Sequence, residues 1–141
     1  MKDNQIYLAN LAVLNMKVHN LHWNVVGSQF VQIHQFTEEL YTTLFEQLDE
    51  SAELLKMRGV YPEASMKAYL SMSTVSELES KSYTVKEVLE ILKSDLMTLV
   101  DLATQLRLQA IQKDDFRAQA LYEEFIAGYE KNIWFISSIQ A

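Results

Sequence analysis

The sequence predicts an all-α fold, a single four-helix bundle in which one long connection joins the second and third helices. The 141 residues include only three Gly and one Pro, so the chain has few turns and favours long helices. Hydrophobic residues make up 49% of the chain and recur at spacings of three and four along four long segments. The length fits one domain, which we expect to cover residues 1–141.

The first half of the chain predicts two helices separated by a short turn. The first runs from about Gln5 to Val26, and Gly27 interrupts it. The second runs from Phe30 to Arg58, followed by a glycine at position 59 and a proline at position 62, as is typical of a helix end.

The second half predicts two further helices after the long middle connection. The segment "ASMKAYLSM" can form a short helix within that connection. Thr84 and Glu87 form a capping box that opens the third helix, and Asp114 and Asp115 favour the start of the fourth, which runs from Phe116 almost to the end. Short loops imply antiparallel neighbours, so the long connection gives the ferritin-like connectivity of a four-helix bundle.

Composition and charge exclude several kinds of function. The chain has no Cys, which excludes disulfides, thiolate metal sites and cysteine catalysis and fits a cytoplasmic location. Neither a secretory signal pattern nor a membrane-spanning run is present, so no membrane partner is expected. The net charge of −7, from 12 basic and 19 acidic residues, disfavours nucleic acid as a partner and favours cations.

All three histidines lie in "HNLHWNVVGSQFVQIH", residues 19–34, directly before the acid-rich part of the second predicted helix. On that helix His34 and Glu38 are four residues apart, as are Asp49 and Glu53, so each pair shares one face. Glu38 and Asp49 are eleven residues apart and lie on one stripe. The two pairs are nevertheless separated by about 16 Å along the axis, so one ion cannot contact both within one chain.

Two copies of the second helix, antiparallel across a two-fold axis, would complete a metal site. His34 and Glu38 of one chain would then face the second acidic pair of the other chain, and His22 would add a second nitrogen. Three plainer interpretations stay open: solvated acidic pairs, hydrogen-bonded core histidines, and a Trp23 that only packs. A di-iron oxygenase is disfavoured because the Glu-x-x-His motifs of such bundles are absent.

The segments "HNLHWNVVGSQFVQIHQFTEELY" and "EQLDESAELL" closely resemble the signature of Dps-like miniferritins, the family of DNA-binding proteins from starved cells. The likeness continues through "ASMKAYL", "YTVKEVLEIL" and "YEKNIWFI", and so covers almost the whole chain. The resemblance implies a ferritin-like four-helix subunit with a short helix in the long middle connection. It also implies a hollow homo-oligomer of twelve subunits, with ferroxidase centres at two-fold interfaces.

The resemblance also implies a set of site residues. The catalytic and metal ligands are His22, His34 and Glu38 of one subunit together with Asp49 and Glu53 of the partner subunit. The family often has Asp where this chain has Glu38, so the carboxylate here stands on a longer side chain.

Two further residues are expected beside the centre rather than as ligands. Trp23 matches an aromatic residue next to it, and His19 matches a position that supports the ligands. The Lys-rich N-terminal extension of many relatives has no counterpart, since only Lys2 precedes the first predicted helix. DNA binding is therefore not expected.

The expected function is iron storage by a ferroxidase. Imidazole and carboxylate ligands suit iron as Fe(II) and Fe(III), and zinc is expected to compete for the same ligands. The family's usual oxidant is hydrogen peroxide, with oxygen as the other candidate. Iron is expected to enter through openings lined by acids around the fourth helix, with five candidates: Asp114, Asp115, Glu123, Glu124 and Glu130. The alternatives are a nucleoid-protecting DNA-binding protein with incidental metal binding and a structural bundle without metal.

Overall fold

Five helices and two very short strands make up the protein in a computed structural model, which describes residues 2–141. The four long helices are the predicted ones, and the short helix lies in the middle connection. In chain order the elements are α1 (Lys2–Asn24), β1 (Val25–Val26), α2 (Phe30–Met57), α3 (Met66–Met72), β2 (Tyr83–Thr84), α4 (Val85–Gln112) and α5 (Phe116–Gln140).

The four long helices form a bundle around a core of aliphatic side chains. α1 packs along α2, α4 packs along α5, and α3 lies against α1. The core leucines of α1 and α4 are fully buried, including Leu11, Leu14, Leu92, Leu96 and Leu99. The predicted all-α fold is confirmed. None of the helices in residues 2–141 is long and apolar enough to cross a membrane.

The end of α1 differs from the prediction because two residues leave the helix to pair with a distant segment. α1 begins at Lys2, earlier than predicted, and ends at Asn24 rather than Val26. Val25 and Val26 pair in parallel with Tyr83 and Thr84 as β1 and β2. This small pairing ties the α1–α2 turn to the start of α4.

The predicted helix boundaries at Gly59 and Thr84 are confirmed in atomic detail. Gly59 has a φ of 75°, its N–H donates to the Lys56 carbonyl, and the Val60 N–H donates to the Leu55 carbonyl. These bonds are the Schellman motif that ends a helix on a left-handed residue. At the start of α4, the Thr84 hydroxyl accepts from the Glu87 N–H, and the Glu87 carboxylate accepts from the Thr84 N–H.

The turn between α4 and α5 uses its two aspartates differently from the prediction. Asp115 does cap α5, because its carboxylate accepts from the Ala118 N–H at 3.1 Å. Asp114 instead ends α4: its φ is 54°, and its N–H donates to the Ile111 carbonyl. It fills the left-handed position that Gly59 fills after α2.

Two buried polar contacts join helices across the bundle. Near its centre the Tyr7 and Tyr129 hydroxyls bond to each other, and Tyr129 donates to the Gln47 side-chain carbonyl at 2.6 Å. Lys17 of α1 forms an ion pair with Asp95 of α4 at 2.7 Å, and both side chains are largely buried. Burial raises the pKa of Asp95, against the opposing effect of Lys17.

Candidate metal centre

Two histidines meet where α1 ends and α2 begins. The short turn after β1 folds α2 back beside α1, which brings His22 of the last turn of α1 against His34 of the second turn of α2. Their rings stack at 3.6 Å between centroids and 15° between planes. His22 is buried, with 5% of its surface exposed, and His34 is partly exposed. The pair thus lies at the edge of the subunit rather than inside the bundle.

The two histidines hold each other through reciprocal hydrogen bonds to the main chain. The distance from His22 Nδ1 to the His34 carbonyl oxygen is 2.7 Å, and from His34 Nδ1 to the His22 carbonyl oxygen it is 2.8 Å. The His22 carbonyl belongs to the last turn of α1, where the helix provides no regular partner. Since a carbonyl only accepts, both rings carry a proton on Nδ1. In the neutral rings both Nε2 lone pairs then remain for a ligand bond.

An aromatic wall lies beside the histidine pair. His19 Nδ1 donates to the Asn15 carbonyl at 2.7 Å, and its ring stacks on Tyr41 at 3.7 Å. Tyr41 also presents its ring at 87° to His22, with 5.2 Å between centroids. The Trp23 ring lies 5.5 Å from His19 and is 62% exposed. His19 and Trp23 therefore lie near the pair, and their place beside a metal centre stays a prediction.

The electrostatic surroundings keep His22 neutral near pH 7. Burial lowers the pKa of His22, and the neighbouring His34 lowers it further, while the bond to the His34 carbonyl and the Glu38 carboxylate act in the opposite direction. Glu38 follows His34 by one helical turn and is exposed. A neutral imidazole is the form that binds a metal, so the His22 and His34 nitrogens are donors of a kind that suits Fe(II) or Zn(II).

The second acidic pair lies elsewhere on α2. Asp49 and Glu53 are exposed and belong to an acidic surface of α2 and α5. There, partial burial and then the carboxylates of Glu124, Glu46, Asp49 and Glu53 raise the pKa of Glu50. Within residues 2–141 of one subunit, no group of three or more His, Asp or Glu side chains is placed to hold a metal ion. The ligand set that uses both pairs stays a prediction.

Two residues that touch the histidines are absent from the predicted set. The Thr37 hydroxyl lies 3.0 Å from His22 Nδ1, and Tyr41 contacts both His19 and His22. Thr37 follows His34 by three residues, and Tyr41 follows Thr37 by four, so both lie on the face of α2 that carries His34. This spacing indicates that both residues lie near His34, but threonine and tyrosine are not typical ligands of iron in such bundles, so the sequence alone did not single them out.

The acids expected to line openings for iron are not equivalent. Asp115 is held by Arg58 at 2.6 Å, and Glu123 is held by Arg107 at 2.5 Å. In each case the bond to the arginine lowers the pKa of the carboxyl. Because these two carboxylates are paired with arginines of the same chain, they are less suited to attract iron cations.

Comparisons with known proteins agree with the fold. The model of the ferritin-like domain family matches residues 5–141. DNA protection during starvation protein 2 of Bacillus anthracis is 35% identical over 129 residues, covering 92% of this chain and 88% of that protein. The crystal structure of antigen TpF1 from Treponema pallidum superposes with a TM-score of 0.96 at 30% identity, covering 98% of this chain and 88% of that one.

A second solved structure has a description that includes its metal chemistry. A DPS protein from Vibrio cholerae, described as a member of a broad superfamily of ferritin-like diiron-carboxylate proteins, superposes with a TM-score of 0.94 at 26% identity. The alignment covers 99% of this chain and 87% of that one. The chain belongs to the ferritin-like family and, within it, to the Dps-like miniferritins.

Proposed function

We propose that the protein is a ferroxidase that oxidises Fe(II) at centres shared between two subunits and stores Fe(III) inside a closed homo-oligomeric shell. The observation that carries the proposal is the reciprocal bonding of His22 and His34, which leaves two Nε2 atoms as donors at the subunit edge. Membership of the Dps-like miniferritins and similarity to a diiron-carboxylate protein support iron as the metal. Iron is the substrate and the stored cargo in this proposal.

The proposal places the missing donors on a second copy of the chain. His22, His34 and Glu38 would bind iron together with Asp49 and Glu53 of the partner subunit. Three large apolar side chains, two at the histidine end of α1 and α2 and one farther along α2, are exposed in the single chain: Trp23 is 62%, Val31 59% and Phe45 63% exposed. Exposed apolar surface of this kind is typical of a protein interface. Isologous packing then yields two equivalent centres at each interface.

The proposed reaction couples two iron ions to one peroxide molecule. Two Fe(II) give up one electron each, hydrogen peroxide accepts both electrons with two protons, and two Fe(III) and two water molecules result. Pairing the electrons at one centre avoids release of a hydroxyl radical. Carboxylates retain the more highly charged Fe(III) well, and the acidic surface of α2 and α5 suits its onward passage. Zinc is expected to inhibit because imidazole and carboxylate donors bind it too.

Anaerobic loading with Fe(II) followed by peroxide tests the proposal. We expect the assembled protein to bind Fe(II), to consume about one peroxide for every two Fe(II) oxidised, and to keep the product in a particle of dodecameric mass. His22→Ala and His34→Ala should slow the oxidation, whereas Glu39→Ala, an exposed neighbour of Glu38, should not. Oxidation at the rate of free iron in solution, or a protein that stays monomeric at neutral pH, would refute the proposal.

A further inference from the structure

Thr37 makes a contact with His22 that its place in the helix does not require. It lies in α2, three residues after His34, and is fully buried between α1 and α2. Its Oγ1 lies 2.8 Å from the Ile33 carbonyl oxygen and 3.0 Å from the His34 carbonyl oxygen. The same oxygen lies 3.0 Å from His22 Nδ1. One hydroxyl therefore connects the α2 main chain to the imidazole of α1.

The proton count determines the direction of each of these bonds. The His34 carbonyl can only accept, so His22 Nδ1 carries the proton between them, and the single hydrogen of the Thr37 hydroxyl points to the Ile33 or the His34 carbonyl. Towards His22 the hydroxyl oxygen can then only accept. His22 Nδ1 is thus the donor to two oxygens at once, the His34 carbonyl and the Thr37 hydroxyl. In the neutral ring, the alternative tautomer with the proton on Nε2 would bring the Nδ1 lone pair against the His34 carbonyl oxygen at 2.7 Å, and the Thr37 hydrogen would have to leave the α2 carbonyls to reach Nδ1.

The contact with His22 also gives a reason for a threonine at this position. A threonine inside a helix that bonds to a carbonyl one turn earlier gains little for the helix, because that carbonyl already has a helical partner. A buried hydroxyl is stabilised further when its oxygen also accepts a hydrogen bond, because the lone pairs are then not left without a partner. His22 supplies that hydrogen bond. The hydrogen bond from His22, rather than any need of helix α2, therefore accounts for a hydroxyl group at position 37.

We propose that Thr37 is a positioning residue that holds His22 in the Nδ1-protonated tautomer and fixes its ring plane, so that Nε2 is presented to a divalent cation. The inference rests on the proposed function, since it concerns the same centre. It predicts that the hydroxyl of Thr37, rather than its shape, sets part of the affinity for metal. Partners that orient a ligating histidine contribute about 10–100-fold to metal affinity, and we expect the lower end because the His34 carbonyl remains.

The test uses the assembled full-length protein and cobalt(II) as the probe. Thr37→Val keeps the branched shape without the hydroxyl, and Thr37→Ser keeps the hydroxyl without the methyl group. We expect Thr37→Val to bind Co(II) about tenfold more weakly, as measured by the visible absorption of the bound ion. Thr37→Ser should bind within about twofold of the parent, well inside that loss. Thr37→Ala, expected to behave like the valine variant, serves if the latter does not assemble.

A second measurement separates positioning from a loss of packing. In the metal-free protein labelled with ¹⁵N-histidine, the parent and Thr37→Ser should show His22 protonated on Nδ1 alone, and Thr37→Val should show a mixture of tautomers. Parental Co(II) affinity in Thr37→Val, or equal losses in the valine and serine variants, would overturn the role of Thr37 alone. A parent protein that binds no Co(II), or whose Co(II) spectrum is unchanged by His22→Ala, would overturn the shared centre as well.

Discussion

Two variants that each remove half of the proposed centre distinguish a shared site from a site held within one subunit. The first is His34→Ala/Glu38→Ala, and the second is Asp49→Ala/Glu53→Ala. The three acids are exposed on α2, where alanine is a good helix former, so both chains should fold and assemble. Each variant alone should lack centre-dependent iron oxidation, because every centre in its shell lacks one set of ligands.

The expected rescue follows from counting interfaces in mixed shells. With equal amounts of the two chains and random assembly, about half of the two-fold interfaces join one chain of each kind. Such an interface has two centres: one combines both defects, and the other combines both intact halves. About one quarter of all centres are therefore restored, and the initial rate should reach about a quarter of the parental rate. A site contained within one subunit predicts no rescue.

A dilution control tests the same geometry independently. The parent chain is mixed in equal amounts with a chain that carries all four substitutions. A shared site requires two parent chains at an interface and retains about a quarter of the activity, whereas a one-subunit site retains about half. The assay is the absorbance of Fe(III) after peroxide addition to anaerobically loaded protein, with native mass spectrometry to verify mixing. Verified mixed shells without rescue would refute the shared centre.

Four further outcomes are expected. Lys17→Met should lower the free energy of unfolding by about 3 kcal/mol because it strands a buried charge, and adding Asp95→Leu should restore most of the loss in denaturant titrations. Asp114→Gly should raise the free energy of unfolding by about 1 kcal/mol by relieving a left-handed residue, as measured by the same titration. Arg58 lowers the pKa of Asp115 from 3.8 to about 2, so its stabilisation is present above the unfolded value and is lost as the pH falls towards 2; Asp115→Asn should flatten the stability-versus-pH curve in that window, and an unchanged slope would contradict the pairing. The assembled protein should not retard duplex DNA in chelator at about 0.15 M salt, because 19 acidic residues outweigh 12 basic ones in every subunit; a retarded band at submicromolar protein would contradict this.

The helices could be predicted from the sequence because their signals are local. Apolar spacing, the Gly59 end and the Thr84–Glu87 box each depend on residues within one or two helical turns, and all three agree with the structure. The pairing of Val25 and Val26 with the segment before α4 depends instead on contacts across the long middle connection. A segment of only two valines has no sequence pattern that distinguishes a paired strand from a continued helix.

The candidate site was predictable in its residue types but not in its hydrogen bonds. The clustering of His22 and His34 pointed to a metal, and the structure does bring the two rings together. That each ring donates to the other's main chain depends on the angle at which α2 returns beside α1, which residue spacing does not specify. Nothing in the sequence indicates that Thr37 is buried against His22, so its role could be recognised only from the structure. The completion of the centre by a second subunit stays a prediction.

The reciprocal histidine bonds have a consequence for the order of events during folding. The two residues are only twelve positions apart, so the bonds between them form as soon as the hairpin of α1 and α2 closes. Contacts of such short sequence separation form quickly and do not wait for the remote helices to dock. A nascent chain would therefore hold its nitrogen donors in place before the rest of the bundle closes and before another copy arrives. For the proposed shared centre, the slow step in assembly would then be the encounter of two chains, whose rate depends on protein concentration.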